Sequence, residues 1–193
     1  MLTAILLTVL FLLPAAALKQ SDGDRASCRK SMVLRLSPPR DVGKYVSRIV
    51  EVRGNSMMPL MAPGAELWLL KDYYMSNKVE RYDVIAYHYA GRRSPLVKMV
   101  RGVPGDRWEV EEKAGVLEII VNGRRLINSA GSKYQVPKTG RLPLYAKTCP
   151  VIPEDVFLVL GDEPGGGLDS TQFGLVHRRD FAGRLVFGQK SNP

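Results

Sequence analysis

Between Tyr45 and Phe187 the chain reads as short β-branched and aromatic runs cut by glycine and proline, with no long amphipathic helix. Residues 45–52, 66–70, 83–87, 96–101, 108–111, 117–121, 157–160 and 184–187 each have strand character. Asn122-Gly123 separates Leu117-Glu118-Ile119-Ile120-Val121 from Arg124-Arg125-Leu126-Ile127, which is a hairpin pattern because both turn residues tolerate positive φ. Short strands joined by Gly/Pro turns predict a mostly β, barrel-like fold.

Two stretches stand out chemically. Arg53-Gly54-Asn55-Ser56-Met57-Met58-Pro59 follows a strand pattern, and Gly54 and Asn55 allow a sharp turn that leaves the Ser56 hydroxyl accessible. Alone, this reads first as a polar turn followed by two methionines that fill a core. The second stretch is Leu96-Val97-Lys98-Met99-Val100-Arg101, a lysine inside an apolar run. Either Lys98 snorkels from a strand edge to water, or it is buried. Burial disfavours the ammonium and leaves a neutral amine fit to act as a general base. A serine hydroxyl needs such a base to become a nucleophile.

Four motifs, taken in order, resemble those of type I signal peptidases. They are Gly54-Asn55-Ser56-Met57-Met58-Pro59, Arg81-Tyr82-Asp83-Val84-Ile85-Ala86-Tyr87, Val97-Lys98 through Gly102-Val103-Pro104-Gly105-Asp106, and Gly161-Asp162 with Leu168-Asp169-Ser170-Thr171. Together they cover roughly residues 45–188. The resemblance implies a membrane-anchored Ser–Lys endopeptidase that cuts signal peptides from exported proteins. It further implies Ser56 as nucleophile and Lys98 as general base, with Gly54, Asn55, Asp169 and Ser170 as oxyanion or supporting residues. Signal-peptide-bearing precursors and membrane lipid are its implied partners. The implied location is the inner (plasma) membrane, with the catalytic domain on the extracytoplasmic side.

The chain also departs from the family pattern. Gly54 replaces a serine that helps line the oxyanion hole, and Met99 an arginine after the lysine. Gly167 falls where a serine usually orients that lysine, and Thr171 where a second arginine pairs with the aspartate. These changes suggest a specialised member, such as a conjugative-transfer or pilin-maturation peptidase, or an inactive scaffold of the same fold. A self-cleaving repressor with a Ser–Lys dyad fits less well, because no Ala-Gly or Cys-Gly pair precedes Ser56.

Composition places these motifs beside a membrane. The formal charge of +9 suits anionic headgroups or nucleic acid equally by arithmetic. The basic residues are scattered, however, and build no recognisable nucleic-acid module, so no nucleic acid is expected. Residues 2–18 form an uncharged apolar run, short beside the roughly 20 residues that usually span a bilayer. It reads as a retained anchor, with cleavage at Ala15-Ala16-Ala17 as the alternative. Residues 19–40 read as a linker, 41–193 as the peptidase domain, and 107–150 as a small inserted β lobe. Two cysteines, Cys28 and Cys149, make neither a disulfide framework nor a zinc pattern. His88 and His177 are expected at the surface. No cofactor and no metal site are expected.

Overall fold

The computed structural model describes residues 36–37, 42–45, 47–165 and 167–190. The proposed anchor, Cys28 and most of the proposed linker lie outside them. In chain order the elements are β1 (Leu36–Ser37), β2 (Ser47–Glu51), β3 (Glu66–Lys71), α1 (Tyr73–Ser76), β4 (Val84–Tyr87) and β5 (Leu96–Gly102). There follow β6 (Trp108–Lys113), β7 (Val116–Val121), β8 (Arg124–Arg125), α2 (Leu142–Thr148), β9 (Val156–Leu160) and α3 (Ser170–Phe173). The chain closes with β10 (Val176–His177), β11 (Phe181–Val186) and β12 (Gln189–Lys190).

The described residues form a seven-stranded sheet of order β10-β9-β5-β4-β11-β3-β2, a three-stranded sheet β6-β7-β8, and the pair β1-β12. The large sheet is open, ending at β10 and β2, which corrects the expectation of a barrel. Strand content and turn chemistry do not report closure. Closure depends on whether edge strands far apart in sequence share a register and shear. Here β2 pairs only with β3, from Ser47↔Leu70 to Glu51↔Glu66, and its other edge stays unpaired among the described residues.

The central strands are covered on both faces, so they read as continuous apolar runs. Ile85, Tyr87, Val100 and Val159 pack in one buried cluster, while Ala86, Met99, Leu67 and Leu69 pack in another with Val52 and Met57. A third cluster joins Trp108, Ile119, Tyr134 and Leu142 to Leu158 and Leu160 of β9. It packs the residues around β6–β8 against the main sheet. The hairpin forms as expected, with Asn122 at φ 50° and Gly123 at φ 73°.

Charged residues of the sequence motifs brace this scaffold. Arg81 donates to both carboxylate oxygens of Asp106, at 2.7 and 2.8 Å, and to the Arg101 carbonyl at 2.6 Å. Burial alone would raise the Asp106 pKa, but donors from Val103, Arg81 and Asn122 outweigh it and hold the carboxyl below its ordinary value. Asp83 accepts from Tyr74 Oη at 3.0 Å and pairs with Arg184 at 2.9 Å, which ties the start of β4 to β11.

Candidate active site

The turn after β2 is pinned at its base and at its tip. Val52 N donates to Ala65 O at 2.8 Å and Gly64 N to Val52 O at 2.9 Å, closing the loop. Gly54 takes the positive φ the turn needs, at 75°. Met57 is 1% exposed in the core cluster. Burying a side chain of that size contributes about 1.5–3 kcal/mol, so it anchors the residue after Ser56.

The far end of β9 grips Ser56 through its backbone. The Ser56 carbonyl accepts from Asp162 N at 2.8 Å and Glu163 N at 3.2 Å. This approach requires glycine at 161, because a Cβ there would fall 2.4 Å from the Ser56 carbonyl oxygen.

Lys98 reaches the same point from β5. It is 2% exposed, and its Nζ donates to Ser56 Oγ in a short contact and to Val97 O at 3.1 Å. Burial lowers the Lys98 pKa from the ordinary lysine value, and the Asp169 carboxylate pulls it back upward. Of the two readings open in the sequence, the structure takes the buried amine. Gly167 lies against the pair: a Cβ there would sit 3.3 Å from Ser56 Cβ and 3.8 Å from Lys98 Nζ.

The remaining candidate residues fall into two groups. Asp169 is buried behind the site, accepting from Gly161 N at 2.9 Å, Thr171 N at 3.0 Å and Thr171 Oγ1 at 2.6 Å. Ser170 is buried too, but its hydroxyl accepts from Val159 N at 2.9 Å and so fastens α3 to β9. Gly54 and Asn55 are exposed at the rim of the turn. His88 and His177 are at the surface, as expected, and Cys149 is half-buried, with no disulfide partner among the described residues. Among the described residues no group of acidic, His and Cys side chains could hold a metal, and no helix is long and apolar enough to cross a membrane.

Sequence reasoning assigned no role to Asp162, yet its side chain is a hub. Oδ2 accepts from Leu60 N at 3.0 Å and Ser129 Oγ at 2.5 Å, and Oδ1 from Ser129 N at 3.0 Å. The only hint in the sequence was its place in the Gly161-Asp162 motif. Ser56 and Lys98 open onto a groove of about 560 Å³. It is lined by β2 with residues 52–53 and by the stretch from Arg92 into β5.

The comparisons with known proteins converge on one class, the signal peptidases. The family model for signal peptidase, peptidase S26, matches residues 41–188. The chain belongs to the signal peptidase family, peptidase S26, and is a hydrolase of that class. It is 29% identical over 159 residues to signal peptidase IB of Staphylococcus aureus, covering 76% of this chain and 79% of that one. It is 32% identical over 142 residues to signal peptidase I of Bacillus caldolyticus, covering 70% and 75%. A crystal structure of a signal peptidase I from Enterococcus faecalis aligns with a TM-score of 0.39 and 27% identity, covering 57% of this chain and 98% of that one.

Proposed function

We propose that this protein is a membrane-bound serine endopeptidase that removes N-terminal signal peptides from exported precursors through a Ser56–Lys98 dyad. The observation that carries the reading is the contact between Lys98 Nζ and Ser56 Oγ, made by an amine whose burial favours its neutral form. Neither histidine is among the residues that line the groove at Ser56.

The precursor lies extended in the groove, pairing its backbone with the free edge of β2. Its carbonyl at the cut meets Ser56, and the apolar lining takes the small side chains that precede it. Neutral Lys98 accepts the Ser56 proton as Oγ attacks the carbonyl carbon. The tetrahedral oxyanion is held by the Ser56 N–H, with Asn55 beside it as our candidate for a second donor. Loss of one such donor costs about 10²–10³ in turnover. The C–N bond then breaks, and the Lys98 ammonium returns its proton to the leaving amine. Lys98 next activates a water that hydrolyses the acyl-enzyme. Asp169 and Ser170 support the site without entering the proton transfers. The apolar run 2–18 holds the chain at the membrane, with the catalytic domain on the extracytoplasmic side, where such precursors emerge.

The test uses the full chain in membranes and a precursor whose signal ends in small residues. Ser56→Ala and Lys98→Ala each lose cleavage by at least about 10³-fold, non-additively because the pair acts as one unit, while thermal unfolding stays cooperative. Cleavage by Ser56→Ala at the wild-type rate sinks the dyad. Mature protein beginning near Lys19 and released by a salt wash sinks the anchor.

A further inference from the structure

The groove beside Ser56 is cationic in a way the dyad does not require. Arg48 of β2, Arg53 just past it and Arg92 from the loop before β5 all line it, with Glu51 as the single acidic residue of the lining. All three arginines are exposed, and none forms a salt bridge among the described residues. The floor between them is apolar, formed by Val52, Ala86 and Val97 among others.

We propose that Arg48, Arg53 and Arg92 select precursors that carry an acidic side chain in the segment just before the cut. This inference rests on the peptidase reading above and adds a substrate class to it. All three arginines line the one groove that also holds Ser56, so the ligand that meets them is an extended chain passing the nucleophile. Arg48 and Arg53 are five positions apart, roughly 16 Å along an extended backbone, so they read different residues of a seated peptide. A carboxylate on that peptide accepts the two-pronged guanidinium geometry. The seated chain also excludes water from the cleft, which strengthens the attraction over that at an open surface.

The experiment measures kcat/KM for the full chain in a neutral detergent. Its probes are synthetic signal-peptide substrates with Asp, Asn or Lys at each of the six positions before the cut. The expected result is a position where Asp exceeds Asn by about 2- to 5-fold, the range for a solvent-exposed ion pair. The Asp/Asn ratio should shrink in 0.5 M salt, where screening acts over a few ångströms. It should fall to one in the relevant Arg→Gln variant, and Arg92→Glu or Arg53→Glu should turn the preference toward Lys. Because each ratio is taken within one variant, a loss of folded protein cancels from it. Ratios of one at every position overturn the inference, as does a preference that survives all three arginine replacements. Unit ratios together with weakened binding of the Arg→Gln variants to phosphatidylglycerol vesicles would assign the arginines to lipid and likewise overturn it. In every arm Ser56→Ala separates the two readings. Ser56-dependent cleavage with unit ratios rejects only the acidic preference, whereas cleavage without Ser56 rejects the dyad.

Discussion

Thr171 meets the buried Asp169 carboxylate with two donors. Its hydroxyl donates to Asp169 Oδ1 at 2.6 Å and its backbone N–H to the same oxygen at 3.0 Å, while Gly161 N serves Oδ2 at 2.9 Å. The resemblance read from the sequence leads one to expect arginines at the positions of Met99 and Thr171. Here neutral donors satisfy the buried carboxylate, and Met99 packs in the core instead.

Removing that hydroxyl should therefore cost stability. Thr171→Val keeps the shape and the backbone donor but leaves Asp169 Oδ1 one bond short. An unsatisfied buried acceptor costs about 1–3 kcal/mol. Urea unfolding should show a loss in that range, and Thr171→Ser should recover most of it. An unchanged midpoint for the valine variant would mean that the carboxylate finds its partner elsewhere.

Much of this could be read from the sequence, and what could not has physical causes. The strand runs and the Asn122-Gly123 hairpin followed from β-branched runs and turn residues, whereas the pairing of Ser56 with Lys98, far apart in the chain, came only from the family resemblance. The open sheet did not follow, because local pattern carries no information about whether β10 meets β2. Helix α2 was missed because its seven residues, including Pro143, carry too few turns to show a helical period. Ser170 was placed as site support, and its hydroxyl proved to fasten α3 to a backbone N–H of β9. Asp162 escaped because its partners are backbone amides and a hydroxyl, which no residue pattern marks.

The Lys98 amine makes two linked predictions about pH. Its folded pKa lies below the ordinary lysine value, so kcat/KM should rise with pH through that lower pKa as the base form appears. Stability has the opposite partner state. Below the unfolded pKa the unfolded chain binds a proton that the folded site disfavours, so Lys98 costs stability there. As pH rises toward about 10.4 that cost disappears. Lys98→Met should be inactive yet more stable than the wild type near neutral pH, with the gap closing in alkali. Thermal unfolding across pH measures it. A gap independent of pH would mean that Lys98 is charged in the folded protein.

Gly167 should tolerate no side chain without loss of function. Its φ of 141° strains any L-residue, and its Cβ would press on Ser56 Cβ at 3.3 Å. Strain of this kind costs about 1–3 kcal/mol. A displacement of the nucleophile by about 1 Å can cost ~10²-fold in rate. For Gly167→Ala we expect a smaller shift of Ser56 and a kcat lower by about 10-fold. Gly167→Ser restores the hydroxyl usual in the family but carries the same strain, so it should fall short of the wild type too. A Gly167→Ser enzyme faster than wild type would show that the loop relaxes to accommodate the hydroxyl.

Asp162 joins three pieces of the site that are distant in sequence. Its side chain receives Leu60 N from the nucleophile turn and both N–H and Oγ of Ser129, while its own N–H holds the Ser56 carbonyl. Its carbonyl accepts from Asn128 Nδ2 at 2.9 Å. Asp162→Ala keeps the backbone bonds and orphans the three donors that met the carboxylate. Each orphaned buried donor costs about 1–3 kcal/mol, although exposed ones can turn to water. The expected outcome is a stability loss of about 1–3 kcal/mol and a fall in kcat larger than the change in KM, because the turn that carries Ser56 loosens while the groove remains. Hydrogen exchange should localise the effect, with faster exchange at residues 57–61 and 128–132 and unchanged protection in β4 and β5. Asp162→Asn separates charge from geometry: it keeps one acceptor oxygen, so it should recover part of the stability but leave the Ser129 or the Leu60 donor facing an amide. Equal protection of both loops in Asp162→Ala and the wild type would show that the backbone bonds to Ser56 hold the turn without the carboxylate.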